Sequence, residues 1–284
     1  MQDFFDSHVH SQYSDDSEQP FAEIYRAAVE RGLCGLTVTD HANLSIIEED
    51  STFECIAASA KEAKNTNKRF GNEVQVFCGV EVSEHFDDPD NTQKILNLAD
   101  YDVVIGSVHR LEFGRWKDFY SKISFDESFP LEELYGYMDK YFEYLLRVAE
   151  QADYDILAHL TCPLRYINGK YHRGLRLEPY REVIDEILHC LLQRNKALEV
   201  NTSGIRGIYD NLMPDLWIIQ RYFDMGGRLI TLGSDAHTPD RVGNAFEETA
   251  TMLSQIGFPG YYHYEHRQPQ FTMFAGMAPV AERT

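Results

Sequence analysis

The chain has 284 residues, 43% hydrophobic and 25% charged, ordinary proportions for a globular protein with a sizeable core. Against 26 Lys and Arg stand 46 Asp and Glu, a formal charge of −20 that repels phosphate backbones and excludes nucleic acid as an expected partner. No apolar run reaches the roughly 18–20 residues that span a bilayer, and Met1–His8 lacks a signal segment, so a cytoplasmic address with no membrane contact is expected.

In chain order, short apolar runs occur at Phe4–Phe5, Gly35–Thr39, Val74–Val80, Asp102–Val108, Tyr154–Ala158, Ala197–Asn201 and Arg228–Leu232. Their Val, Ile and Leu content and near continuity predict strands buried on both faces of a parallel sheet. Between them lie stretches with the helical period. One opens after Pro20 with Phe21, Ile24, Tyr25, Ala28 and Val29 and stops at Gly32. A second runs from Leu131 to Ala149, a third through Val183–Leu192, and a fourth from Pro214 to Gly226-Gly227. The stretches 113–130 and 164–179 read as loops. Seven strands alternating with helices predict a wound α/β fold in one domain over 1–284, with no linker dividing it. The cysteines Cys34, Cys55, Cys78, Cys162 and Cys190 contain no C-x-x-C pair and read as reduced fillers.

The informative feature is what ends each strand. The runs terminate in Asp6-Ser7-His8-Val9-His10, Asp40-His41, Glu81, His109-Arg110, His159, Asn201-Thr202-Ser203-Gly204 and Asp235-Ala236-His237. Carboxyl ends of parallel strands converge on one rim, which gathers six histidines, Glu81 and Asp235 at one mouth. Residues two apart on a strand share a face, so His8 with His10, and Asp235 with His237, can grip metal together. Burying so many unpaired polar groups would be costly, whereas imidazoles and carboxylates without thiolates suit Zn, Mn or Fe.

The ordered motifs Asp6-x-His8-x-His10, Thr39-Asp40-His41, Gly79-Val80-Glu81, Gly106-Ser107-Val108-His109, Ala158-His159 and Gly233-Ser234-Asp235-Ala236-His237 resemble the PHP (polymerase and histidinol phosphatase) superfamily. The segments His10–Glu18, Leu198–Arg206 and Asp235–Gly243 are similar to its histidinol-phosphatase branch. This resemblance implies a distorted (β/α)7 barrel carrying three divalent metal ions at its carboxyl rim. It places one metal on His8, His10 and Asp235, with Glu81 bridging to a second that also takes His109 and His159. The third falls to Asp16, His41 and His237, with Asp15 an alternative to Asp16. Asp40 is expected to orient a ligand. Arg165 and Arg206 are expected to grip phosphate, for which a forked guanidinium is suited.

The implied reaction is hydrolysis of a small phosphomonoester, histidinol phosphate, by a metal-bound hydroxide. Asp235, His237 or a metal-bound water would supply the proton for the leaving group. An acidic field around a cationic mouth suits a substrate that carries an ammonium group; Glu84, Asp87 and Glu112 are weighed for holding it but read as surface residues. Tyr13, Phe113, Trp116 and Tyr166 are weighed as ring-stacking groups and read as packing. The alternatives are a PHP phosphoesterase for nucleotides or other small esters, and a non-catalytic metal-binding regulatory module. Oligomeric state is left open.

Overall fold

Apolar runs flanked by turn residues become strands, and amphipathic stretches become the helices packed against them. A computed structural model describes residues 4–47, 49–70, 73–205 and 207–275. In order these form β1 (Phe4–Val9), α1 (Phe21–Glu30), β2 (Leu33–Val38), β3 (His41–Asn43), α2 (Glu49–Phe70), β4 (Gln75–Ser83) and α3 (Pro89–Leu96). There follow β5 (Val103–Ser107), β6 (Arg110–Phe113), β7 (Trp116–Phe119), α4 (Leu131–Gln151), β8 (Ile156–Leu157) and α5 (Arg181–Arg194). The last part holds β9 (Ala197–Asn201), α6 (Leu216–Asp224), β10 (Ile230–Gly233), α7 (Phe246–Ile256), β11 (Gly260–Glu265) and β12 (Gln268–Met273).

The main sheet is parallel and runs β1-β2-β4-β5-β8-β9-β10, with β3 added beside β4. Its two ends meet. Val9 bridges Ala236, His10 N–H donates to Ala236 O at 3.0 Å, and Asp235 N–H donates to His8 O at 2.8 Å. Seven strands therefore curl round until the edges join, by a short bridge rather than a full ladder, as a distorted barrel requires. β1, β5, β9 and β10 are buried at every position, the signature of strands covered on both faces.

The helical stripes pack as their period demands. α1 buries Phe21, Ile24, Ala27 and Ala28, and α4 buries Leu134, Tyr137, Met138, Tyr141, Phe142, Leu145, Val148 and Ala149. The long α2 escapes the periodicity reading because its mean hydropathy is low and Lys and Glu interrupt its apolar face. The stretch 113–130 is less irregular than expected, since it contributes the end of β6 and all of β7, which pair as a hairpin. No disulfide forms among the described residues.

A second hairpin, β11–β12, lies across the opposite end of the barrel from the histidine-bearing rim. Phe5 N–H donates to Tyr261 Oη at 2.8 Å, and Arg267 N–H donates to Asp102 O at 2.8 Å. The Arg267 guanidinium also reaches Asp155 and Asp153. These partners all stand at the amino ends of strands, so the hairpin closes that end. No helix among the described residues is long and apolar enough to cross a membrane.

Candidate metal centre

Eight of the nine expected donors are brought to one place by the strand ends, and the ninth, Asp16, by the loop after β1. His8 lies on β1 with His10 one residue past its end. His41 begins β3, directly paired in register with Glu81 of β4. His109 follows β5, His159 follows β8, and Asp235 and His237 follow β10. His159 (φ 24°) and Asp235 (φ 51°) adopt left-handed backbone conformations that non-glycine residues avoid, and both occur where the chain turns out of a strand at the site.

Glu81 is completely buried at the centre. Its Oε1 lies 3.1 Å from His109 Nε2 and 3.0 Å from His159 Nε2. Its Oε2 lies 3.2 Å from His8 Nε2, 3.4 Å from His10 Nε2 and 2.9 Å from His41 Nδ1. His8 Nε2 and His10 Nε2 are 3.0 Å apart, and Asp235 Oδ1 is 3.3 Å from His10 Nε2 and 3.8 Å from His8 Nε2. His109 Nε2 and His159 Nε2 are 3.3 Å apart. Asp16 Oδ1 lies 3.4 Å from His41 Nε2 and 3.2 Å from His237 Nε2. Asp15 makes neither contact and is exposed at the mouth.

These spacings test whether a cation fits. Tetrahedral bonds of about 2.0–2.1 Å to imidazole and carboxylate place neighbouring donors about 3.3 Å apart. The observed separations cluster round that value, and two of them, His8 Nε2 to His10 Nε2 and His109 Nε2 to His159 Nε2, join imidazole nitrogens. His41 Nδ1 adds to this, being 2.9 Å from Glu81 Oε2 yet without hydrogen-bond geometry. The donor groups fit divalent metal by chemistry and by spacing.

The electrostatics are those of opposite charges packed without water. Burial opposes ionisation of Glu81, but His109, His8 and His41 outweigh it and hold its carboxyl well below the usual range. Asp235 is likewise held low against burial, through His10, His8 and His237. Burial disfavours charge on His10, and His41 and His237 push the same way, so its pKa falls far below that of free imidazole. On His8, burial is overcome by Glu199 and Glu81, and the pKa rises.

A family profile described as the PHP domain matches residues 6–203. The chain belongs to the PHP domain family. Relatives align along nearly all of this PHP chain. A probable histidinol-phosphatase of Clostridium acetobutylicum is 31% identical over 253 residues, covering 87% of this chain and 92% of the relative. A probable histidinol-phosphatase of Thermotoga maritima is 28% identical over 256 residues, 89% and 92% of the two chains. The crystal structure of histidinol phosphate phosphatase from Lactococcus lactis, complexed with zinc, L-histidinol and phosphate, has a TM-score of 0.77 at 22% identity. It covers 95% of this chain and 100% of its own and shares the PHP fold.

Around the PHP site several expectations change. Asp40 does not touch a histidine ring; it accepts from Ser11 N, Ser11 Oγ, Ser14 Oγ and Ser59 Oγ. Ser14 Oγ in turn is 3.2 Å from His10 Nδ1 and 3.1 Å from His41 N, so orientation passes through that hydroxyl. Glu84 is no surface residue: it is buried and accepts from the N–H groups of His109 and Arg110, which fixes the His109 backbone. Asp87 and Glu112 are exposed. Phe113 and Trp116 stack on each other and pack against Tyr137 and Phe129, and Tyr13 packs on Phe21. Tyr166 borders the cavity with Phe119, Tyr120 and Lys122.

Arg165 lines the cavity, and its Nη1 donates to Ser203 Oγ at 3.3 Å. Arg206 lies outside the described residues. Two carboxylates that stand in the quoted motifs, but to which the sequence assigned no role, support the donors. Asp6 is buried and accepts from Ser234 N, Ser234 Oγ and Gly243 N, tying the two metal-bearing strand ends together; burial pushes its carboxyl up to about 6. Glu199 accepts from His8 Nδ1 at 2.6 Å. The available signal was the same for both, an acidic residue inside a run that is otherwise buried on both faces.

Proposed function

We propose that this protein is a metal-dependent phosphomonoesterase that hydrolyses L-histidinol phosphate to L-histidinol and phosphate, a step of histidine biosynthesis. The convergence of nine donors beside Arg165 supports the chemistry. Full-length relatives that bear the histidinol-phosphatase name support the substrate. Five cysteines with no disulfide among the described residues suit a reducing, cytoplasmic compartment.

In this reading His8, His10, Asp235 and Glu81 hold one zinc-like cation. Glu81, His109 and His159 hold a second, and Asp16, His41 and His237 a third. When bound, such cations lower the pKa of water toward neutrality and neutralise phosphoryl charge. The residues of the chain do the rest. Arg165, joined by Arg206, holds the phosphoryl oxygens and spreads the charge that develops in line. Asp235 and His237, adjoining through a 3.6 Å contact, stand at the mouth where a leaving alkoxide needs a proton. Phe119, Tyr120 and Tyr166 add aromatic surface to the cavity lining.

The test is phosphate release from L-histidinol phosphate against nucleotide and sugar monophosphates, using purified, chelated and zinc-restored protein. Preference for L-histidinol phosphate that disappears on chelation and returns with zinc is the expected result. Release from nucleotides alone would reassign the substrate, and no release from any ester by zinc-loaded protein would favour a regulatory module.

A further inference from the structure

Glu199 is the single acidic residue of β9, held between Leu198 and Val200 with 1% exposure. An ionised carboxylate in such a place needs several donors, and this one has three. Its Oε1 accepts from His8 Nδ1 at 2.6 Å. Its Oε2 accepts from the backbone N–H of His159 at 2.7 Å and from Asn201 Nδ2 at 3.1 Å. The two oxygens thus serve two different histidine-bearing strand ends.

Those two histidines face Glu81 with their other nitrogens, His8 Nε2 toward Oε2 and His159 Nε2 toward Oε1. Each therefore lies between two buried carboxylates: Glu81 within the donor sets, Glu199 behind them. The His8 and His159 ring centroids lie 5.8 Å apart with 30° between their planes. Space for this arrangement is provided by Gly233 on the neighbouring strand. A Cβ there would come within 2.3 Å of Glu199 Oε1 and 2.8 Å of His8 Cβ, so any side chain would drive the carboxylate off the ring.

We propose that Glu199 is a positioning residue that sets two metal subsites at once. It rests on the reading of the donor sets as metal subsites. A carboxylate only accepts, so it fixes the proton of His8 on Nδ1 and leaves the Nε2 lone pair for a cation. Its second oxygen clamps the strained turn at His159, which aims that ring at the neighbouring subsite. Among the described residues the Asp16, His41 and His237 set makes no direct contact with Glu199 and meets the other sets through His41 and Glu81. Glu199→Gln keeps the shape but supplies an amide that can donate to Nδ1, which favours the tautomer with Nε2 protonated and unable to ligate.

The experiment is zinc titration of chelator-stripped full-length protein against a chromophoric competitor, with zinc content counted after gel filtration. Wild type, Glu199→Gln and Glu199→Asp are compared, with circular dichroism of each. Two zinc equivalents should weaken together by about 10–100-fold in Glu199→Gln while the third keeps its affinity. Glu199→Asp, still an acceptor-only anion, should stay nearer wild type; if Glu199→Gln does not fold, a milder paired loss in Glu199→Asp is the expected result. Wild-type affinity at every equivalent, weakening of one equivalent alone, or equal loss at all three would overturn the proposal. Wild-type protein that binds no zinc tightly would overturn the metal reading itself, a result distinct from all of these.

Discussion

Ser203 Oγ stands between Arg165 and Asp235: it accepts from Arg165 Nη1 at 3.3 Å and lies 3.3 Å from Asp235 Oδ2, while the nearest acceptor for its one proton is Asn201 Oδ1 at 2.7 Å. The guanidinium proposed to grip phosphate is thereby held beside Asp235 across two loops. Arg165→Lys keeps the charge but loses the fork, and kcat/KM for phosphate release should fall by about 10–100-fold. Ser203→Ala leaves the guanidinium present but unanchored, so a smaller loss of about 3–10-fold is expected. Steady-state kinetics on both variants check the order of these effects.

The neighbouring aspartates make a sharper comparison. Asp16 reaches both His41 and His237, whereas Asp15 reaches neither. Asp16→Asn should reduce bound zinc by one equivalent, and Asp15→Asn should leave the stoichiometry at the wild-type value. The Asp16 side chain is 56% exposed and that of His237 28%, against 0% for His8, His10 and Glu81. Competing chelator should therefore strip the Asp16 subsite first, and metal counting at successive chelator concentrations reads this directly.

Zinc should stabilise the fold by mass action, because its donors come from strands spread along the whole chain and converge only after folding. At 100 times the dissociation constant each site adds about 2.7 kcal/mol. The melting temperature should rise with zinc concentration and fall on chelation. Calorimetry across a zinc series checks it; a melting temperature indifferent to zinc would contradict the donor sets.

His85 provides a pH dependence separate from the metal donors. It is buried in the loop after β4, and burial lowers its pKa to about 4, only partly opposed by Asp153. Free imidazole takes its proton near 6.5, so between these values the unfolded chain binds the proton and the folded chain does not. Stability from this residue is full above 6.5 and declines as pH falls toward 4, by about 3 kcal/mol. His85→Leu should flatten that slope relative to wild type. Urea unfolding in chelator at pH 8, 6 and 5 measures the difference.

The seven strands of the main parallel sheet and the gathering of ligand-competent side chains at one rim were legible in the sequence, because each is encoded locally. Continuous Val, Ile and Leu runs mark strands with both faces covered, and a ligand-competent residue directly after each run marks the rim. Helix α2 was not legible, since its apolar positions are diluted by Lys and Glu, nor was the β11–β12 hairpin, whose Tyr261 and Arg267 find partners only at the far end of the barrel.

What the sequence determined alone was the inventory: which side chains stand at strand ends, and that imidazole and carboxylate dominate among them. The tertiary structure decided how they are supported. Glu199 meets His8 across 191 positions, Asp6 meets Ser234 across 228, and Asp40 acts through serines rather than on a ring. No local pattern carries such pairings, because a buried carboxylate is satisfied by whichever donors barrel closure brings within hydrogen-bond reach, and that closure is a property of the whole chain.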